Sequence, residues 1–263
     1  MELLPIKTPI FRPGMNISDV ISDCLKRKQI TLKNGDVLVI ASKILATVEG
    51  RIIPLKEVIP SKKAQELATE TGQDPRFVQL VLDHSETILG QVPGAILTYT
   101  SGIMQANAGI DRSNVGHNLA ILLPKNPEQS AKKIRADLEK EYGVKLGLII
   151  SDSKTNPLRR GTTGLALAIS GFEPIKDDRG GYDLFGYEMK VTFRAVADNL
   201  TCAAQILMGE TNEQIPVVLI RDAPIVLRNV PRASDMFIAP EQCLYSSLLK
   251  GKDLLIKSDK KGK

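Results

Sequence analysis

Acidic residues in three distant parts of the sequence could together hold a divalent cation. Asp111 lies in the segment 105–116, which also carries glycines, carboxamides and a hydroxyl. Asp152 lies between two serines, and Glu210 follows a predicted helix. Carboxylate oxygens are hard ligands of the kind that Mg²⁺ and Mn²⁺ take. Because the sequence offers no Cys–His or Ser–His partnership, these acids favour metal-assisted phosphate chemistry.

Two of these acids also have a purely structural explanation. Asp111, Ser113 and Asn114 could form an Asx-type turn that satisfies its own backbone. Asp152 or Ser153 could cap a helix, although Pro157 and an arginine pair follow in place of an amphipathic helix.

Basic residues near these acids could bind phosphate or carboxylate groups. Ser42 and Lys43 follow the apolar run 36–41 and could meet a phosphate, although a lysine at a strand end is often only solvated. The segment 159–163 begins with two arginines that could form bidentate hydrogen bonds. The segment 177–183 resembles a charged loop, either a lid over the site or a solvated connection.

Hydrophobic periodicity predicts the elements that position these residues. We expect an extended segment over 6–14, strands over 36–41, 119–123, 144–150 and 217–221, and a strand or hairpin over 95–104. We expect helices over 18–28 with Ser18 as cap, 61–85 in two pieces, 127–142 with Pro127 at its start and Gly143 as stop, and 196–208 ended by Gly209. Ligands of α/β sheets collect at the carboxyl ends of strands, where Asp152 is predicted to lie.

Composition restricts the class of protein. Of 263 residues, 43% are hydrophobic and 25% charged, which is typical of a globular protein, and no run is long and apolar enough to span a membrane. The N-terminus lacks the features of a signal peptide, so we expect a cytoplasmic protein. Three cysteines without a CxxC pair argue against a zinc site or a disulfide framework.

The net charge of +5 does not indicate a nucleic-acid partner. Residues 250–263 hold six lysines and two aspartates, which leaves a charge of only +1 for the rest of the chain. We predict that this segment is a flexible basic tail. Neither GxxxxGK[ST] nor a GxGxxG motif after a strand is present, so a P-loop or Rossmann site is not expected.

The sequence resembles the coenzyme F420-0:L-glutamate ligase family. The likeness is collinear over about residues 6–225 and is carried by Ser42-Lys43, Glu49-Gly50-Arg51, 106–115, Ser151-Asp152-Ser153 with Pro157 and Arg159, Asp178-Arg179-Gly180, Val196-Ala197-Asp198 and Met208-Gly209-Glu210. It implies a mixed α/β (α+β) fold with mixed β-sheets and packed helices. It also implies a homodimer that uses GTP, Mg²⁺ or Mn²⁺ and K⁺ to join L-glutamate to a deazaflavin acceptor through an acyl phosphate.

The resemblance also implies particular site residues. Asp111 and Asp152 would hold one metal ion, and Ser153 and Glu210 a second. The nucleotide site would be built from Thr8, Pro9, Ile10, Phe11, Ser42, Lys43, Thr47, Asn114, Gly209, Glu210, Thr211, Asn212, Glu213, Gln214, Ile215 and Pro216. Arg159 and Arg179 are candidates for binding the acceptor or the glutamate carboxylates. We therefore predict a nucleotide- and metal-binding core over 1–153 and 196–249, with a smaller substrate-binding subdomain over 154–195.

This sequence departs from the family pattern at a few positions. Thr47 and Thr100-Ser101 stand where basic residues are usual, Ser153 stands for a threonine, and Asn199 for an acid. The lost basic residues leave two alternatives open. The same chemistry could serve another carboxylated acceptor such as a folate, or the chain could bind nucleotide and metal without turnover.

Overall fold

The computed structural model describes residues 1–229, 233–239 and 242–245. Its strands are β1 (Glu2–Ile6), β2 (Val37–Ala41), β3 (Ile52–Pro54), β4 (Thr87–Val92), β5 (Ala95–Thr100), β6 (Ile103–Ala106), β7 (Leu119–Ile121), β8 (Gly147–Thr155), β9 (Thr162–Ser170), β10 (Ile175–Asp177), β11 (Phe193–Ala195) and β12 (Val217–Arg221). Its α-helices are α1 (Ile17–Arg27), α2 (Ser42–Val48), α3 (Lys62–Thr71), α4 (Pro75–His84), α5 (Pro127–Tyr142) and α6 (Val196–Met208). The chain forms two compact units, Met1–Arg51 with Leu123–Phe237, and Ile52–Leu122 with a part that begins at Ile238.

A five-stranded mixed sheet organises the first unit. Its strand order is β1-β12-β2-β8-β9, in which β2 and β8 are parallel and the other neighbours are antiparallel. The register aligns Ile6 with Val217, Val217 with Ile40, and Ile40 with Ile150. The segments that follow β1 and β2, the loop before β12 and the end of β8 therefore meet at one edge of the sheet, here named the site edge.

Helices cover both faces of this sheet. One face, which includes Leu38 and Leu148, packs against α1 and α5, and the opposite face, which includes Val39 and Ile149, packs against α6. These central strands are buried on both sides, which is why they are continuous apolar runs rather than alternating ones. The core therefore fixes the strand ends at the site edge.

The second unit has its own core. The strands β4-β5-β6 form an antiparallel meander, and β3 pairs with β7. Helices α3 and α4 contribute Ala64 and Val78 to a cluster that also buries Ile96 and Ala120. Ser61 and Asp74 cap the two helices through their side-chain oxygens. The prediction of two helical pieces within 61–85 is confirmed.

One predicted helix cap was wrong and one strand was not predicted, both for local reasons. Asn16, and not Ser18, caps α1, because the Asn16 side chain accepts the Ser18 backbone N–H while the Ser18 hydroxyl bonds Asp137 on α5. Strand β1 was not predicted, since Pro5 interrupts its alternation of polar and apolar residues. The proline is tolerated because β1 is the outermost strand of the sheet.

The predicted strand over 144–150 begins later and continues further. Strand β8 runs to Thr155, so Asp152 and Ser153 lie within the strand and not in a loop after it. Pairing with β9 carries β8 past its apolar part, a tertiary effect that polar residues do not reveal in sequence.

The predicted fold class is confirmed: the described chain is α+β, with mixed sheets, packed helices and no closed barrel. The structure divides the chain elsewhere: segment 154–195 supplies β9 to the central sheet, and the second unit consists of 52–122 with the part that begins at Ile238. The predicted tail over 250–263 lies outside the described residues. Within the described part, no helix has the length and apolarity needed to cross a membrane.

Candidate functional site

The site edge carries most of the residues predicted to bind nucleotide. Thr8–Phe11 follow β1, Ser42 and Lys43 open α2 directly after β2, and the loop 209–216 joins α6 to β12. Two backbone hydrogen bonds join these segments: the Thr8 N–H donates to Gln214 O at 3.4 Å, and the Ala41 N–H donates to Pro216 O at 2.9 Å. Three stretches that are far apart in sequence are thus adjacent in the first unit.

Not every side chain in these stretches is available to a ligand. Phe11 is buried in the core, whereas the Ile10 side chain is exposed to solvent. Thr8 and Ser42 are also buried. The Thr47 hydroxyl donates to Lys43 O at 2.8 Å, one turn back along α2. Phe11 therefore could offer a ligand its backbone but not its ring.

The loop 209–216 is organised around the Glu213 carboxylate. Its oxygens accept hydrogen bonds from the Thr211 N–H at 2.9 Å and the Thr211 hydroxyl at 3.0 Å. Hydrogen bonds from backbone N–H groups of Glu213 itself and Thr211, and from the Thr211 hydroxyl, lower the pKa of Glu213. The carboxylate lies directly over Gly209, where an added Cβ would come within 2.1 Å of Glu213 Cδ. Glu213 thus shapes the loop from within.

Gly209 has a backbone conformation that other residues avoid. Its φ of 67° and ψ of −172° end α6 and turn the chain into the loop. This region of φ/ψ space is essentially restricted to glycine. The prediction of Gly209 as the helix stop is therefore confirmed. A side chain at this position would in addition displace the Glu213 carboxylate.

Asp152 and Ser153 lie next to β9 near a bulge. Ile150 pairs with Ala168 but Ser151 pairs with Ala166, so β9 has one additional residue there. The Ala166 N–H donates instead to the Asp198 carboxylate in the first turn of α6, at 2.9 Å. The Asp152 carboxylate accepts the Ser153 N–H at 2.8 Å. Asp198 thus stabilises the bulge beside the two predicted metal ligands, a role that its position in sequence did not reveal.

Glu210 is held by two residues that were not predicted for this purpose. Its Oε1 accepts hydrogen bonds from Gln205 Nε2 at 2.5 Å and from Thr162 Oγ1 at 3.1 Å. Close packing of α6 on β9 makes this possible, because a Cβ at Gly164 would come within 2.5 Å of the Thr201 backbone. Thr162 pairs with Thr155, so Glu210 lies beyond Ser153 along the β8–β9 pair.

The two candidate arginines lie in different parts of the first unit. Arg159 is exposed in the connection between β8 and β9, at the site edge. Arg179 lies beyond the opposite end of β9, in the segment that links β10 to β11. Its guanidinium bonds the Asp177 carboxylate at 2.7 Å and stacks on Phe193, with 4.4 Å to the ring centroid. The hydrogen bonds that the Arg179 side chain and backbone N–H donate lower the pKa of Asp177.

Asp111 and Asn114 belong to the second unit. The Asp111 carboxylate accepts the Ser113 N–H at 3.0 Å and the Ser113 hydroxyl at 2.6 Å, so the Asx-type turn is present. Asn114 follows with a positive φ of 58°. The turn does not exclude ligand binding, since each carboxylate oxygen has more than one lone pair. It does hold the carboxylate in one orientation.

The predicted metal ligands offer only oxygen. Asp111, Asp152, Ser153 and Glu210 supply carboxylates and a hydroxyl, which fits Mg²⁺ or Mn²⁺ rather than a softer metal. Mg²⁺ is usually held by one or two carboxylates together with substrate phosphates. Over the described ranges, no three or more His, Cys, Asp or Glu side chains are grouped as a metal site of their own.

Fold and site together define an α+β protein with oxygen donors and a lysine at one sheet edge. A sequence model of the family described as F420-0:Gamma-glutamyl ligase matches residues 5–222, and this chain belongs to that family. It is 42% identical over 232 residues to the coenzyme F420:L-glutamate ligase of Methanocaldococcus jannaschii, covering 87% of this chain and 90% of that protein. It is 38% identical over 222 residues to the ligase of that name from Methanopyrus kandleri, covering 84% and 86%. The corresponding protein of Archaeoglobus fulgidus is 37% identical over 222 residues, covering 84% and 87%.

Proposed function

We propose that this protein is a ligase that joins L-glutamate by a γ-glutamyl link to a deazaflavin acceptor of the coenzyme F420 type. Family membership and relatives named coenzyme F420:L-glutamate ligase support the reaction. The observation that supports the site edge as the binding site is the strand register, which aligns Ile6, Val217, Ile40 and Ile150. GTP binding at that edge, by Thr8–Phe11, Lys43 and the loop 209–216, is part of the proposal.

The reaction that suits such a site has two displacements. An acceptor carboxylate oxygen attacks the γ-phosphorus of GTP, the bond to the β-phosphate oxygen breaks, and GDP leaves. The amine of glutamate then attacks the acyl carbon, an amide bond forms, and phosphate leaves with the proton released to solvent. The protein's part is to position charged groups and to exclude water.

The oxygen-donor residues would hold Mg²⁺ or Mn²⁺ in this proposal. Asp152, Ser153 and Glu210 are the residues involved in the first unit. Asp111 is proposed as a metal ligand by resemblance alone. When bound, the cations would neutralise phosphate oxygens. The Lys43 ammonium would bind phosphate as a point charge, and Arg159 would bind a carboxylate of glutamate or acceptor. Activation by K⁺ and a homodimer belong to the proposal by resemblance, and a cytoplasmic location is proposed with them.

Phosphate release from GTP tests the proposal. Purified protein is incubated with GTP, Mn²⁺ and L-glutamate, with a deazaflavin acceptor, a folate or no acceptor, and both phosphate and the amide product are measured. We expect release that depends on the deazaflavin and matches product formation. Release with folate alone would redirect the proposal to another acceptor, and nucleotide binding without release would refute turnover.

A matched pair of variants links the activity to the site edge. Asp152→Asn removes a predicted metal ligand, whereas Asp137→Asn removes a carboxylate on the surface of α5 that pairs with Lys133. We expect the first to lower kcat by at least about 100-fold, as loss of a group that stabilises phosphoryl transfer does, and the second to leave kcat unchanged. Equal activities in the two variants would exclude Asp152 from the site.

A further inference from the structure

A run of left-handed residues precedes Asp111. Asn107, Ala108 and Gly109 have φ values of 52°, 54° and 69°. Left-handed backbone is disfavoured for alanine, because its Cβ approaches the following carbonyl oxygen. Such a conformation persists only where the surrounding structure imposes it, and it is concentrated at functional sites.

A buried hydroxyl holds this turn in place. The Thr98 side chain is fully buried on β5, and its Oγ1 accepts the Ala108 N–H at 3.0 Å and donates to Gln105 O at 2.9 Å. The Thr98 hydroxyl therefore connects Gln105, which precedes the turn, to Ala108 within the turn. A methyl group in its place would leave the Ala108 N–H buried without an acceptor.

The Asn107 side chain provides a second restraint. Its Oδ1 accepts the Ile96 N–H at 3.0 Å and a weaker bond from Gln73 Nε2 at 3.4 Å. The side chain therefore ties the left-handed turn to β5 at a second position. Asparagine also tolerates left-handed backbone better than most residues.

The turn leads directly to the Asp111 carboxylate. Ile110 is buried, and Asp111 then pairs with Ile121 through two backbone hydrogen bonds of 3.1 and 2.8 Å. From this fixed backbone the Asp111 carboxylate bonds Ser113. The direction of the carboxylate is thus set by a turn whose conformation depends on groups buried beneath it.

We propose that Thr98 is a positioning residue: its buried hydroxyl holds the left-handed turn at 107–109 and so aims the Asp111 carboxylate at a divalent cation. The inference rests on the proposed function, because that function makes Asp111 a metal ligand. Residues that orient metal ligands typically contribute 10–100-fold to metal affinity.

The test compares four variants of the full-length protein. Thr98→Val removes the hydroxyl at nearly constant volume, and Thr98→Ser restores it. Thr71→Val is the matched control, because Thr71 is equally buried in the same unit but its hydroxyl donates to Leu67 O in α3. Asn107→Gly keeps the left-handed backbone accessible while removing the side-chain acceptor of the Ile96 N–H.

Two readouts are used, Mn²⁺ affinity and hydrogen exchange without metal. We expect Thr98→Val to weaken Mn²⁺ binding by about 10–100-fold and to speed exchange of the Arg112 and Ser113 amides, which bond the Asp111 carboxylate. Thr98→Ser and Thr71→Val should resemble the wild type in both readouts. If Thr98→Val does not fold, Asn107→Gly carries the same expectation.

The outcomes separate this inference from the proposed function. Wild-type Mn²⁺ affinity and exchange in Thr98→Val would overturn the role of Thr98. If Thr98→Val does not fold, wild-type values in Asn107→Gly would overturn the link between the restrained turn and Asp111 on which that role depends. A wild-type protein that binds no Mn²⁺ would refute the proposed metal site, and exchange at residues 112 and 113 would still decide whether Thr98 holds the loop. Equal effects of Thr98→Val and Thr71→Val would reduce Thr98 to an ordinary core residue and also overturn the inference.

Discussion

Replacing Gly209 by alanine tests whether the loop 209–216 binds the nucleotide. The substitution has two effects. It places a Cβ where the backbone has φ 67° and ψ −172°, and it directs that Cβ to within 2.1 Å of Glu213 Cδ. The first effect is backbone strain, and the second displaces the carboxylate that bonds Thr211.

The size of the backbone effect follows from the conformation. A non-glycine residue in this region costs about 1–3 kcal/mol. If GTP binds only the conformation that the structure shows, this cost appears as lost affinity, and each 1.4 kcal/mol is about tenfold. We therefore expect Gly209→Ala to weaken GTP binding by about 5- to 150-fold. The displaced Glu213 carboxylate would add to that loss.

Calorimetry of GTP binding in the presence of Mg²⁺ measures the effect. Gly143→Ala is the control, because Gly143 ends α5 at φ 68° and ψ 28° with nothing within 4 Å of an added Cβ. The control should lower the free energy of unfolding by about 1–2 kcal/mol without changing GTP affinity. The double variant Gly209→Ala/Glu213→Ala removes the steric conflict but keeps the strain, so its affinity should also stay below that of wild type. An affinity of Gly209→Ala within twofold of wild type would refute the role of the loop.

Three further predictions concern stability, pH and substrate binding. Asp36→Asn should lower the free energy of unfolding by about 3 kcal/mol, because the buried Asp36 accepts hydrogen bonds from Arg221 through both oxygens, at 3.1 and 2.9 Å, and the Arg221 side chain is only 16% exposed. Urea unfolding at pH 7 measures this change, and a decrease below about 1 kcal/mol would contradict the prediction. The pKa of Glu213 is lowered in the folded chain. The stabilisation from its carboxylate is therefore present above the unfolded pKa, near 4.5, and is lost as pH falls through the lower folded value. Amide exchange at Thr211 should speed up below about pH 4.5 in wild type, and Glu213→Gln should show no such step. Arg159→Ala should raise the KM for glutamate or for the acceptor, whereas Arg179→Ala should leave both KM values unchanged because Arg179 pairs with Asp177. Steady-state kinetics that give the two variants the same KM values would contradict this distinction.

Elements with strong local signals could be predicted from the sequence. Helix α5 begins at Pro127 and ends before Gly143 as predicted, since a capping side chain, a proline in the first turn and a left-handed glycine all act locally. Strand β2 was equally clear, because a strand buried on both faces is a continuous apolar run. The Gly209 stop of α6 belongs to the same group.

Features that depend on a partner strand or helix could not be predicted. The polar half of β8 is a strand only because β9 pairs with it, and the sequence around Asp152 resembles a loop. The roles of Gln205 and Thr162 at Glu210, and of Asp198 at the β9 bulge, depend on α6 crossing β9 at Gly164. Spacing in sequence gives no measure of such contacts.

The sequence by itself determined the fold class, the family and the residue types of the candidate site, because these follow from local propensity and from collinear motifs. Tertiary structure alone decided the strand order and register that bring Thr8, Lys43 and the loop 209–216 to one edge. It also decided that Thr98 lies beneath the turn before Asp111. The physical reason is that register is set by the burial of whole faces and by hydrogen bonds between distant strands, and neither is a property of any single segment.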